Sequence, residues 1–405
     1  MTHETQQSWA LYNASTAYLA QGSSTSSKAP ALEGVEPAVI VRGKGCRVWD
    51  ADGNEYIDFR NALGPVTLGY AVPEINEAVA AQLEDGVIFG HPHTLEGEVA
   101  KLLVEVIPCA ERVRFLKTGG EALAACAKIA RHATKRNKII HCGYNGWLNN
   151  LASGGYRPAG IAASEPHNGV PAAIAALHLA LPWGDLGPWK AAFAEHGDDV
   201  AAVMIASDYA GMDQGRDFLP ALRKLSEEYG ALMVMDEIVT GFRLAIGGAH
   251  EYFGFMPDLA VFGKGMANGM PISAYLGRAD LIDSARGLGI SSTFGGETLS
   301  LAAAKAAIAL YREHAVIDHL WRTGEALWDG VGRMLDQAGI PAKFHGLPVC
   351  PHLDGDAEWT ERLFRAGYQH GLSLYHVPYV NHSHKPADVE EALARFESAI
   401  RSVAP

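Results

Sequence analysis

The chain has 405 residues, which at roughly 100–200 residues per domain leaves room for two or three lobes around a sizeable core. Its 33 Lys and Arg against 46 Asp and Glu give a net charge of −13 with no basic block, so its overall field repels phosphate; this excludes a general binder of nucleic acid or anionic membrane. A content of 48% hydrophobic and 20% charged residues excludes a disordered chain.

The opening run Met1-Thr2-His3-Glu4-Thr5 has neither a cationic start nor an apolar signal core, so a cytoplasmic location is expected. Residues 1–35 begin helix-like and pass into Gly22-Ser23-Ser24-Thr25-Ser26-Ser27, a stretch whose composition predicts a mobile arm or lid. Residues 38–41, 47–50 and 56–59 form three short strand-like runs separated by glycines, as in a small meander. Ile75, Val79 and Leu83 then recur at helical spacing and predict an amphipathic helix ending near Gly86.

The middle of the chain alternates apolar β-rich runs, at 200–205, 231–235 and 259–262, with helical segments such as 218–229. That alternation predicts a mostly parallel sheet covered by helices. The most apolar window, Pro171 to Trp183, is about 13 residues long against the ~20 needed to span a bilayer. Near Thr298 the pattern changes to a long helix over 299–312. The fold class is therefore α/β, with an N-terminal arm and part of a small domain over 1–64, a large domain over 65–300, and a smaller α+β domain completed by 301–405. The five cysteines (Cys46, Cys109, Cys126, Cys142, Cys350) are an odd number with no CxxC pair, and are expected to be reduced and mostly buried.

Three features stand at the ends of predicted strands, where open α/β sheets place their ligands. In Lys117-Thr118-Gly119-Gly120-Glu121, paired glycines open a helix whose exposed N–H groups and dipole suit a phosphate. In Asp236-Glu237-Ile238-Val239-Thr240-Gly241-Phe242-Arg243, a carboxylate ends an apolar strand, a costly position unless a cation such as a protonated pyridine nitrogen meets it. In Phe262-Gly263-Lys264-Gly265, a lysine ends a buried strand among glycines, where partial desolvation lowers its pKa and lets it attack an aldehyde. Each has an ordinary structural explanation alone, and together they describe a pyridoxal 5′-phosphate (PLP) site.

On these motifs and on Trp49-Asp50-Ala51-Asp52-Gly53-Asn54-Glu55-Tyr56-Ile57-Asp58-Phe59, the sequence resembles the class III, fold type I PLP-dependent aminotransferases. The likeness is greatest to the branch that contains glutamate-1-semialdehyde aminomutase. It implies that Lys264 carries the cofactor as a Schiff base and shuttles a proton, and that Asp236 keeps the pyridine nitrogen protonated. It also implies that Gly119 and Gly120 cradle the phosphate, that Tyr144 stacks on the ring, and that Thr293 reaches the phosphate of a second subunit, hence a homodimer.

The departures bear on substrate. Thr118-Gly119-Gly120 stands where Ser-Gly-Thr is usual, and Asn145 where His is more frequent. Ala206-Ser207-Asp208 replaces the family's Glu-Pro, which leaves Asp208 as the carboxylate that would have to move in. The aminomutase's substrate arginine is missing from 22–28, where Lys28 offers a point charge rather than a bidentate fork. Trp147 and His382, the latter in the segment 375–384 that helps close the family's site, are further substrate candidates; no metal site is expected, since His382 and His384 lack acidic or thiol partners at a recognisable spacing. His91, His93 and Trp183 read as packing.

The expected activity is PLP-dependent amino transfer from an amino donor to a polar aldehyde or ketone, such as a sugar or aminocyclitol. An intramolecular 2,1-aminomutase shares every cofactor residue and is the alternative. A non-catalytic regulatory protein on the same fold is the alternative of another class, against which the retention of both Lys264 and Asp236 argues.

Overall fold

The computed structural model describes residues 3–148 and 170–404. Its strands are β1 (Ile40–Lys44), β2 (Arg47–Asp50), β3 (Glu55–Asp58), β4 (Arg112–Leu116), β5 (Lys138–Cys142), β6 (His178–Ala180), β7 (Val200–Ala206), β8 (Leu232–Asp236), β9 (Leu259–Phe262), β10 (Ser273–Gly277), β11 (Ala342–His345), β12 (His352–Gly355) and β13 (Leu372–Ser373). The chain divides into two compact units, Met1–Pro73 with Asp318–Pro405, and Glu74–Ile317. These partings fall later than the sequence expectation of 64/65 and 300/301. The helix Thr298–Glu313 belongs with the large unit because it packs on the helix Thr94–Val106 and on the turn Lys264–Ala267, contacts that no local pattern announces.

The large unit holds a seven-stranded sheet in the order β4-β10-β9-β8-β7-β5-β6. Strands β6, β5, β7, β8 and β9 run parallel, and β10 lies antiparallel to both β9 and β4. Continuous apolar runs such as Val200–Ile205 are fully buried, as strands covered on both faces must be. The helix Gly119–Thr134 lays Ala122, Ala125, Cys126, Ile129 and Ala130 against Ala202, Met204, Val234, Val261 and Tyr275. Small alanine side chains let its axis approach the sheet closely, which fixes where the helix start comes to rest.

The smaller unit carries the four-stranded sheet β1-β2-β3-β13 and the hairpin β11-β12. Asp50 shapes the turn after β2, since its Oδ1 accepts the N–H groups of Asp52 and Asn54 while Oδ2 accepts the Tyr56 hydroxyl at 2.9 Å. After β3, Asn61, Ala62 and Leu63 adopt successive φ values of +51°, +52° and +70° ahead of Gly64. Asp58 accepting from Asn61 N, and Asn381 donating to Asn61 Oδ1 at 3.1 Å, hold this left-handed turn, which is costly for residues with a Cβ.

The stretch expected as a mobile arm contains two short helical turns, Ala20–Gly22 and Ser26–Lys28. The Tyr12 hydroxyl donates to Gln21 O and Arg60 donates to Ser27 O, ties over distances in sequence that composition does not register. The apolar window Pro171 to Trp183 breaks into a short helix, Ala172–Ala175, and the edge strand β6. Among the described residues no helix is long and apolar enough to cross a membrane. All five cysteines are buried free thiols.

Candidate active site

Four of the parallel strands, β5, β7, β8 and β9, end along one edge of the large sheet, and the register shows which residues meet there. Asp236 closes β8 opposite Ala206 of β7 on one side and Val261 of β9 on the other. Lys264 stands two residues beyond β9 with φ +43°, a strained left-handed conformation for a lysine. Asp236 is buried and its Oδ1 accepts one neutral donor, Ile238 N, at 3.1 Å. Burial pushes the Asp236 carboxyl up, against the Ile238 N–H and the charge of Lys264. Burial likewise pushes the Lys264 ammonium down; Asp236 resists this and Arg243 adds to it. The result is an amine poised to lose its proton beside a carboxylate short of a cation, the donor set that a pyridinium aldehyde requires.

The glycine pair opens its helix as the sequence predicts. Thr118 caps it by accepting Glu121 N at 3.3 Å, while Glu121 accepts the N–H groups of Thr118 and Lys117 at 2.9 and 3.1 Å. None of these bonds uses the N–H of Gly119 or Gly120, so among the described residues two donors remain for an anion at the positive end of the helix dipole. Gly119 is there for space, because a Cβ would overlap Ile238 Cδ1 and lie 3.2 Å from its Cγ1. Gly146, at φ +88°, is equally constrained, since a Cβ there would lie 3.0 Å from Gly120 Cα.

The structure thus brings Gly119, Asp236 with its neighbour Ile238, and Lys264 to one edge. Tyr144 and Trp147 follow β5 and are 54% and 74% exposed, which leaves both rings available to a ligand. Asn145 is buried and its Nδ2 donates to Cys142 O at 2.9 Å, so it braces the loop that carries Tyr144. Thr293 is exposed beside Phe294, outside the strand ends. Lys28, also exposed, and His382 belong to the smaller unit. The His382 ring lies edge-on to His319 at 4.8 Å. Asp208 Oδ1 accepts Gly211 N at 2.8 Å and shapes the turn after β7. Trp183 donates to Gly211 O, and His93 caps the helix Thr94–Val106, both in packing roles.

Sequence reading missed the support behind Asp236. Glu237 is wholly buried and accepts Ala249 N at 2.7 Å, His250 N at 2.9 Å and the Thr240 hydroxyl, with His250 Nδ1 at 3.0 Å. Burial opposes a proton on His250, but Cys109 and the Glu237 carboxylate favour it and push the imidazole up to about 10. Nε2 has no partner at hydrogen-bond geometry among the described residues, so Nδ1 carries the bond that matters. The Asp-Glu pair was the available signal; His250, 13 residues away, offered none.

Residues 30–378 match the Aminotransferase class-III family. The chain belongs to that family. This class III enzyme is 31% identical to a glutamate-1-semialdehyde 2,1-aminomutase of Persephonella marina, over 97% of this chain and 98% of that protein. The Aquifex aeolicus protein of the same name is 32% identical over 91% and 93%. Its fold superposes on the Sphingopyxis sp. MTA144 FumI protein, solved in a PLP internal aldimine form, with a TM-score of 0.89 at 27% identity, covering 98% and 96% of the two chains. An omega-transaminase from Sphaerobacter thermophilus follows at 0.86 and 26%, covering 97% of each chain. The enzyme is PLP-dependent and of the fold expected from its sequence.

Proposed function

We propose that this class III enzyme transfers an amino group from an amino acid donor to a polar aldehyde or ketone, such as an oxidised sugar or an aminocyclitol precursor. The observation that carries this reading is the stretch 22–28, where Lys28 is the lone cation and is exposed. A lysine there supplies a solvated point charge, a weak clamp for a substrate defined by its carboxylate.

The cofactor, when bound, supplies an electron sink for the carbanion at the amino carbon. Asp236 holds the proton of the ring nitrogen, and its burial strengthens that interaction. Lys264, as a deprotonated amine, would be the residue that holds the aldehyde and, when free, the base that takes up and returns the proton at the substrate carbon. Gly119 and Gly120 give their N–H groups to the phosphate, and Tyr144 covers the ring. Thr293 reaches a second copy of the chain. Support for that homodimer comes from Val87, Phe89 and Phe294, which are 36%, 48% and 56% exposed in the same unit. Val87 O and Gly86 O both accept the Thr298 hydroxyl, which ties the first of these loops to the segment after Phe294.

A second reading, an intramolecular 2,1-aminomutase, is favoured by the names of the curated relatives. One experiment separates the two. The visible spectrum of the purified enzyme is recorded, and glutamate, glutamine and alanine are added singly. Transfer predicts that one donor bleaches the visible band and that turnover requires a second amino compound. Turnover of a single amino aldehyde with no added donor would replace transfer by the mutase reaction.

A further inference from the structure

The N–H of Gly119 and the C=O of Thr118 belong to one peptide group, and a trans peptide points them in opposite directions. Whatever fixes the carbonyl therefore aims the donor. Two groups fix it. Ala122 N donates to Thr118 O at 3.2 Å, the first bond of the helix Gly119–Thr134, and Ser273 Oγ donates to the same oxygen at 2.8 Å. The side-chain bond is the shorter, and it comes from outside the helix, from the first residue of β10. Ser273 is 1% exposed and is the register partner of Leu116, the last residue of β4, so its hydroxyl lies alongside the turn that leaves that strand.

The same residue borders the lysine end. A Cβ on Gly263, which precedes Lys264, would lie 3.9 Å from Ser273 Cβ and 4.0 Å from Ile238 Cγ2, and it is the terminal methyl of Ile238 that a Cβ on Gly119 would strike. PLP carries its aldehyde and its phosphate arm on adjacent ring carbons, so the residue that receives the one must lie next to the cradle of the other, and Ser273 touches both. Gly119 and Gly120 have no side-chain donor of their own, which leaves affinity for an anion to the aim of their backbone N–H groups. We propose that Ser273 is a positioning residue for the cofactor phosphate, its hydroxyl holding the Thr118–Gly119 peptide so that the Gly119 N–H faces the anion. A hydrogen bond to the carbonyl also polarises the peptide and strengthens the donor at its other end. The inference rests on the phosphate role given to Gly119 and Gly120 under Proposed function.

The test uses the full-length enzyme with Ser273→Ala, which removes the hydroxyl, and Ser273→Cys, which keeps the side-chain volume but is a weak donor. Dissociation constants are measured for PLP and for pyridoxal, which has the same ring and aldehyde but no phosphate, and the phosphorus NMR resonance of bound PLP is recorded. Both variants are expected to bind PLP about fivefold more weakly, to bind pyridoxal within about twofold of wild type, and to shift the resonance. A merely structural role would lower both affinities together or leave both unchanged, and either result overturns the role of Ser273 alone. Should Ser273→Ala not fold, Ser273→Cys decides by the same criteria. A wild-type enzyme that binds pyridoxal as tightly as PLP overturns the phosphate role of the glycine pair, and this inference with it.

Discussion

Gly119→Ala isolates the phosphate end of the site. The new Cβ would overlap Ile238 Cδ1 and lie 3.2 Å from Cγ1, while ordinary carbon contacts fall at about 3.5–4.0 Å. Ile238 is half-buried against the sheet core, so its terminal methyl must turn out of its rotamer and the helix start must yield slightly. An off-rotamer side chain costs about 0.5–1.5 kcal/mol and overpacking about 1–3 kcal/mol. Because Cδ1 is the movable end of the chain, the lower part of that range applies, about 1.5 kcal/mol, or about tenfold in PLP affinity if the strain falls on the donor geometry. Gly120→Ala is the internal control, for its nearest neighbour would be Leu148 Cγ at 3.7 Å, an ordinary contact. PLP dissociation constants from absorbance titration, with thermal unfolding in parallel, read both variants. Equal losses in the two, or a Gly119→Ala enzyme that binds PLP within threefold of wild type, would refute the steric argument.

Lys264→Ala is expected to abolish the visible band formed with PLP and to lower turnover by about a thousandfold, read by spectrum and by product formation; a band that survives places the reactive amine elsewhere. Asp236→Asn keeps the shape but loses the charge, and PLP binding should weaken by about 30-fold in the same titration, with a change under threefold counting against the pyridinium contact. Glu237→Gln sets an NH2 group against backbone donors at Ala249 or His250 and should cost about 3–5 kcal/mol in urea unfolding. That loss has a pH signature. His250 is raised in the fold from 6.5 to about 10, so its contribution is complete below pH 6.5 and disappears as the pH climbs through 10. The gap between wild type and Glu237→Gln should therefore narrow from pH 6.5 toward pH 10, and a gap that is flat with pH would mean the imidazole is neutral.

Much of the site was legible because its chemistry is written in short local runs. The Gly119-Gly120 turn, the Asp236 run and Lys264 each join a residue type to a strand or helix end, and periodicity alone locates such ends. Buried strands such as β7 could be read the same way, since a strand covered on both faces must be apolar throughout. The antiparallel β10 escaped notice because Ser273–Gly277 is equally suited to either direction, and only its pairing with both β9 and β4 orients it. The left-handed run Asn61-Ala62-Leu63 was invisible for a related reason. Alanine and leucine carry no preference for positive φ, and the turn exists because Asp58 and Asn381 hold it. The sequence by itself determined the family and the cofactor and singled out Lys264 as the candidate amine, because these depend on residue types at fixed short spacings. Only the tertiary structure decided that Asp208 accepts a backbone N–H in the turn after β7, that Ala206 rather than an acidic residue lies opposite Asp236, and that Glu237 meets His250. Each of these depends on which distant backbone atoms arrive at a polar side chain, and packing alone sets that.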